Sequence, residues 1–136
     1  MVDGPTEITD RDKTQANKQL VKAFFDTVLI GGQVDKAANF FDKGKYLQHA
    51  PNFPDGLSSF LETMKKLQAQ GTPLTIKTLH RVIGEGNFVL TQSEGESGGK
   101  PSAIYDLFRV EHGKIAEHWD VIQEIPAESK NTNGMF

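Results

Sequence analysis

The hydrophobic period of the chain changes near Thr72, and this change limits the folds that the sequence can adopt. Before it, apolar residues recur at the spacing of amphipathic helices; after it, they alternate with polar residues as in half-buried strands. The later segments are separated by GEGN, SGGKP and EHG, connections that are too short for crossovers and therefore predict antiparallel neighbours. Helices followed by a meander predict an α+β domain with helices covering one face of the sheet.

The first half is predicted to hold three helices and one short strand. The first helix runs from Thr14 to Ile30 and the second from Val34 to a stop at Gly44. Asp55 is the predicted N-cap of the third helix, which Gly71 closes. The predicted strands are Tyr46 to His49, Leu74 to Ile83, Phe88 to Glu96, Ser102 to Val110 and Lys114 to Ile125.

Size and charge exclude several classes of function. A chain of 136 residues makes one domain, 1–136, with residues 1–13 expected as a flexible N-terminal segment, so any site must be formed within a single core. The net charge of −3 and the lack of basic runs argue against nucleic acid or a membrane as partner. No cysteine is present, which excludes thiolate chemistry and Cys-ligated zinc. We expect a cytoplasmic protein that binds a small molecule.

The last hairpin decides which side chains share a face of the sheet. In VEHGK, residues 110–114, Gly113 suits the left-handed position of a three-residue loop, which pairs Val110 with Lys114. Asp106 then faces His118, and Asp120 lies diagonally on the same side. A two-residue loop would instead turn Asp106 away from both.

With this register, two carboxylates and an imidazole converge beside Phe108 and Ile122. Apolar surroundings can separate the pKa values of such groups, so that one acts as a base while another stays protonated. The same residues also fit an exposed cross-strand pair without catalytic function. The opposite face carries an apolar strip, which predicts a homodimer and consists of Tyr105, Leu107, Trp119 and Val121.

Several stretches together resemble the SnoaL-like polyketide cyclase family, in the branch described as aldol-condensation-catalysing, within the nuclear transport factor 2-like superfamily. They are YLQHAP at 46–51, the DG at 55–56 that opens a helix, HRVIGEG at 80–86, YDLFRVEHGKIAEHWDVIQEIP at 105–126 and the final NGMF. The resemblance covers residues 14–136 and implies a cone-shaped half-barrel of curved antiparallel sheet around the N-terminal helices, which enclose one pocket. It also implies frequent homodimers.

The resemblance implies roles for single residues as well. Asp120 matches the acid/base of the cyclases, and Asp106 matches a polar residue that assists it. We expect His118 or His49 to donate a hydrogen bond to an enolate oxygen, with no cofactor. The expected substrate is a small hydrophobic carbonyl compound, in contact with Tyr46, Phe108, Ile122 and His80. The chain departs from the common QHNP motif at Ala50.

Two other functions fit the same residues. Many members of the superfamily are not enzymes, so the pocket can serve a non-catalytic binding protein. His49, His118 and Asp120 also make a possible two-His-one-carboxylate metal site, although we expect no metal.

Overall fold

A computed structural model describes residues 2–43 and 45–136 and confirms the predicted α+β order. Two α-helices lie in the first half, α1 at Thr14–Phe24 and α2 at Leu57–Ala69. Shorter helical turns are Arg11–Lys13, Phe25–Leu29 and Val34–Asn39. In the part of the chain that is described, no helix is long and apolar enough to cross a membrane.

The five strands form one curved sheet that does not close, as in the predicted half-barrel. The strands are β1 at Leu47–Gln48, β2 at Thr75–Glu85, β3 at Phe88–Ser97, β4 at Lys100–Glu111 and β5 at Lys114–Glu124. Their order is β1-β5-β4-β3-β2; β1 runs parallel to β5, and every other pair is antiparallel. Each end of the four long strands lies within two residues of its predicted position.

The helices of the first half differ from the prediction in their type and capping. The predicted first helix continues beyond α1 as a π-helical turn, in which the Ile30 N–H donates to the Phe25 carbonyl. The second is a 3₁₀-helix, and its predicted end at Gly44 lies outside the described residues. The predicted cap at Asp55 is wrong, because its carboxylate accepts the backbone N–H of Gln48 and so fixes strand β1.

The core lies between the helices and the concave face of the sheet. Phe24 and Phe25 pack edge-on against Phe108 of β4, with ring centroids 6.2 and 6.0 Å away. Phe41 makes edge-on contacts with both Phe24 and Tyr46. Offset and edge-on arrangements are those that aromatic rings prefer, so this cluster fixes the helices against β4.

The predicted pairing of β4 with β5 is wrong by two residues, and two local features explain the difference. The turn contains only His112 and Gly113, both with positive φ, as a type I′ hairpin requires. Val110 therefore pairs with Ile115, but Arg109 pairs with Glu117, which leaves Ala116 as an extra residue in a β-bulge.

The bulge restores the predicted faces of the sheet. A two-residue turn alone would move Asp106 to the face opposite His118, and the one extra residue reverses that change. Asp106 consequently pairs with Asp120, and Phe108 pairs with His118. Asp106, His118 and Asp120 share the concave face as predicted, although their cross-strand partners are different ones.

Both ends of the chain cross the convex face of the sheet. Residues from Asp3 to Ile8 border a groove with Leu107 and Trp119, and the Thr9 N–H donates to the Asn87 side chain. At the other end, the Met135 carbonyl accepts a hydrogen bond from Gln92. These segments leave Tyr105 and Val121 as the exposed members of the predicted apolar strip, 38% and 68% exposed.

Self-association through this strip stays a prediction. Substitution Val121→Lys places a charge at its most exposed residue and should weaken a homodimer without disturbing the core. Sedimentation should give a dimer for the wild-type chain at micromolar concentration and a shift toward monomer for the variant. A wild-type monomer of 15.0 kDa under the same conditions would remove the prediction.

Candidate active site

One cavity of about 170 Å³ lies between the helices and the concave face of the sheet. Most of its wall is apolar and comes from α1, α2 and the strands. The polar side chains gather at the sheet side of this wall and are Tyr46, Gln48, Asp106, His118 and Asp120. An apolar chamber with a few convergent polar groups is the usual form of a small-molecule site.

His118 connects two strands through both of its ring nitrogens. Its Nε2 lies 2.9 Å from Oδ1 of Asp106 on β4, and its Nδ1 lies 2.9 Å from Oε1 of Gln48 on β1. The ring also stacks on Phe108, with centroids 4.9 Å apart. The imidazole is therefore fixed in position on three sides.

These contacts determine how many protons the pair carries. The Gln48 oxygen can only accept, so Nδ1 of His118 must carry a hydrogen. The Ala50 N–H, 3.4 Å from the same oxygen, supports this orientation of the amide. One further proton lies between Nε2 and Asp106, and the pair is neutral overall whichever of the two holds it.

Tyr46 presents a hydroxyl at the same polar end. Its oxygen accepts a hydrogen bond from Nε2 of Gln48 at 2.9 Å, so its own hydrogen remains available for another acceptor. Burial raises the pKa of Tyr46, and the carboxylates of Asp106 and Asp120 raise it further. The hydroxyl thus stays protonated across the physiological range and can donate to a ligand oxygen.

Asp120 differs from Asp106 in having no hydrogen-bonding partner among the described residues. Its carboxyl lies at the mouth of the cavity, half-buried. Burial raises the pKa of Asp120; His118 opposes this shift and Asp106 adds to it. An unpaired carboxylate with a raised pKa, accessible from the cavity, is suited to accept a proton from a ligand.

The same three groups are close enough to ligate a metal ion. Asp106, His118 and Asp120 each offer one ligand atom, and these atoms lie within 4.8 Å of one another. Coordination by His118 would replace its hydrogen bond to Asp106 or to Gln48, since both nitrogens are engaged. The predicted set with His49 does not form.

His49 lies on the other face of the sheet, so its predicted position in the pocket is wrong. Successive side chains of a strand point to opposite faces, and Tyr46 and Gln48 already occupy the inner one. His49 Nε2 is 2.7 Å from the buried carboxylate of Glu117, and its ring stacks on Trp119. Trp119 lies outside the cavity, as predicted.

Two predicted substrate contacts also lie outside the cavity. His80 stacks on Phe136 and lies near Glu94, because an irregularity of β2 at this point turns it away. Ile122 pairs with Ile104 across β4 and β5. It lies beyond the mouth of the cavity, in a depression that α2 also borders. Tyr46 and Phe108 line the cavity.

A family model described as SnoaL-like domain matches residues 21–118, which include β1, α2, the three-strand meander and His118. The chain belongs to the SnoaL-like family. No curated protein has a sequence significantly similar to it.

Solved structures with the same fold are distant in sequence. A protein from Kribbella flavida named as a ketosteroid isomerase has a TM-score of 0.69 at 16% identity, over 88% of this chain and 86% of that one. A protein from Acidithiobacillus ferrooxidans named as a polyketide cyclase has a TM-score of 0.63 at 16% identity, over 79% and 87%. An LEH-like epoxide hydrolase from M. tuberculosis has a TM-score of 0.62 at 18% identity, over 82% of this chain and 85% of that one. At these identities the likeness shows the SnoaL-like fold alone.

Gln48 is the site residue that sequence reasoning missed. It joins the Tyr46 hydroxyl to His118 and is the only bonded link between them among the described residues. Strict alternation along YLQH would have identified it, since this pattern puts Tyr46 and Gln48 on one side and His49 on the other.

Replacing Gln48 by Leu should release both neighbours. The Nδ1–H of His118 loses its acceptor, which should cost roughly 1–3 kcal/mol of unfolding free energy. Nitrogen-15 spectra should also show a change in the tautomer or protonation of His118. The exposed Gln123→Leu variant is the control and should leave both quantities unchanged. Unaltered His118 spectra in Gln48→Leu would contradict this assignment.

The raised pKa of Asp120 also predicts the pH dependence of stability. Because the folded chain holds this proton more tightly than the unfolded chain, stability is lost as pH rises through the folded pKa. Asp120→Asn should therefore match the wild type near pH 3 and be more stable near pH 7 in urea unfolding. Asp106→Asn should be destabilised at pH 7, because it disrupts the bond to His118. Equal stability of Asp120→Asn and wild type at both pH values would refute the raised pKa of Asp120.

Proposed function

We propose that the chain is a cofactor-independent acid/base enzyme that moves the proton α to a carbonyl group in a small apolar compound. The reaction class is isomerisation or intramolecular aldol condensation. The observation that supports it most is the unpaired Asp120 carboxyl, with its raised pKa, in the same apolar chamber as the protonated Tyr46 hydroxyl. The names of the Kribbella and Acidithiobacillus structures are consistent with this class.

In the proposed reaction Asp120 removes the α proton, and the electron pair of the C–H bond moves into the carbonyl to form an enolate. The Tyr46 O–H donates a hydrogen bond to the developing enolate oxygen. In an aldol condensation the enolate carbon then attacks a second carbonyl of the same substrate, the π electrons of that carbonyl move to its oxygen, and this oxygen takes the proton back from Asp120. In an isomerisation Asp120 instead returns the proton to another carbon. A positioned acid/base contributes roughly 10²- to 10⁴-fold to the rate.

His118 has a different role in this proposal from the one expected from the sequence. Both of its nitrogens are engaged, so it is not a free donor to the substrate. It neutralises Asp106 instead, through the proton that the two share. Without that proton, two carboxylates paired across β4 and β5 would repel each other. The repulsion would favour the protonated form of Asp120, which cannot act as a base.

The test is deuterium exchange at the α carbon of small cyclic ketones and β-keto compounds, followed by NMR. Asp120→Asn should lose the exchange, and Tyr46→Phe should reduce it by about 10²- to 10³-fold, as for loss of one donor to an oxyanion. The acidic limb of the wild-type rate profile should lie above pH 3.9, about the pKa of free Asp. Treatment with EDTA should not change the rate.

The matched controls make the same substitutions, Asp to Asn and Tyr to Phe, at residues outside the cavity. Asp12→Asn removes an exposed carboxylate outside the cavity, and Tyr105→Phe removes a hydroxyl on the convex face. Both should exchange like the wild type. Equal exchange by wild type and Asp120→Asn would favour a non-catalytic binding protein with the same pocket. Loss of exchange with EDTA would favour a metal at Asp106, His118 and Asp120.

A further inference from the structure

A second depression continues outward from the mouth of the cavity. This outer groove has a volume of about 610 Å³ and lies between the 50–53 loop, α2 and the end of β5. Phe53, Leu74 and Asp120 line both the cavity and the outer groove. The two spaces therefore meet at the carboxyl that we propose as the base.

The volumes limit how a ligand can occupy the two spaces. An apolar protein cavity of roughly 150 Å³ holds one benzene ring, and the chamber here has about 170 Å³. One ring with its carbonyl fills it. Any larger ligand that places its reacting carbon beside Asp120 has to extend through the mouth into the outer groove.

The outer groove contains one cationic group, Lys66 of α2. Among the described residues its ammonium has no ion pair or hydrogen bond, although Glu62 lies one helical turn earlier. The only other ionisable residue of the groove is Asp120, at its inner end. The remaining lining is apolar or neutral, including Val121, Ile122 and Gln70. The charge is thus separated along the groove, with the base at the mouth and a free cation farther out.

We propose that the substrate is an elongated anion, with a ring-sized ketone in the cavity and a chain in the outer groove that carries a carboxylate or phosphate to Lys66. This inference rests on the proposed function for the place of the ketone. It adds the substrate class: the cavity selects the ring, and Lys66 selects the negative charge. The Lys66 ammonium acts in binding and takes no part in proton transfer.

The test compares cyclopentanones that carry propanoate, pentanoate or heptanoate chains with their methyl esters, by calorimetric titration. For the chain length that reaches Lys66, the acid should bind about fivefold more tightly than its ester, as expected for one exposed ion pair. Alkyl phosphates of the same lengths form a second arm. Tighter binding of the phosphate would assign a phosphate ester, and tighter binding of the acid would assign a carboxylate.

Lys66→Met should remove the preference for the anion, and Lys66→Arg should keep it. Lys65→Met is the matched control, because it removes a neighbouring exposed charge that does not line the groove. The preference should also disappear at about 1 M salt, where the screening length is roughly 3 Å. Equal binding of acid and ester at every length, an equal effect of Lys65→Met, or no binding by any compound would overturn the inference.

Proton exchange on the same compounds separates the two proposals. Exchange on the ketone ring without preference for the anion would refute the role of Lys66 and leave the enzyme proposal intact. Tight, Lys66-dependent binding of the acid without exchange would support the groove and refute catalysis.

Discussion

The site depends on one extra residue in the last strand. Ala116 is fully buried in the bulge between Ile115 and Glu117, and it sets the direction of every side chain that follows in β5. Because strand side chains alternate, removing this residue would turn His118 and Asp120 to the convex face and bring Trp119 into the cavity. Bulges are frequent beside active sites for this reason.

Two aspartates that pair across the same strands occupy different chemical environments. Asp106 is nearly buried and bonded to His118, with the Thr91 hydroxyl 3.4 Å from its other oxygen. Asp120 is half-buried, unpaired among the described residues, and open to both the cavity and the outer groove. The fixed pair controls the local charge, and the free carboxyl is the group that a ligand can reach. Position on the strand, rather than residue type, separates these roles.

The sequence predicted the architecture and the shared face, but not the contacts. The change of hydrophobic period near Thr72 and the short turns were sufficient to predict the α+β order and the antiparallel meander. The pairing of β4 with β5 was wrong because Gly113 fits two loop lengths. The consecutive apolar residues Ile115 and Ala116 interrupt the alternation and were the available signal for the bulge.

Other contacts depend on tertiary structure that local patterns do not contain. Asp55 has the sequence context of a helix cap, yet its carboxylate bonds to the neighbouring strand β1. The link from Gln48 to His118 joins residues 70 positions apart, and the parallel pairing of β1 with β5 brings them together. His49 was expected in the pocket because its residue type suits catalysis, whereas strand alternation places it against Glu117.

The proposed chemistry requires Asp120 to be a carboxyl with a raised pKa that a ligand can reach. Carbon-13 NMR of aspartate carboxyl groups during a pH titration tests it directly, with Asp120→Asn identifying the resonance. The resonance lost in this variant should titrate above about pH 3.9, the pKa of free Asp, and should shift when a cyclic ketone is added. An Asp120 resonance that titrates at or below that value, and does not respond to the ketone, would show that Asp120 is not the proposed base.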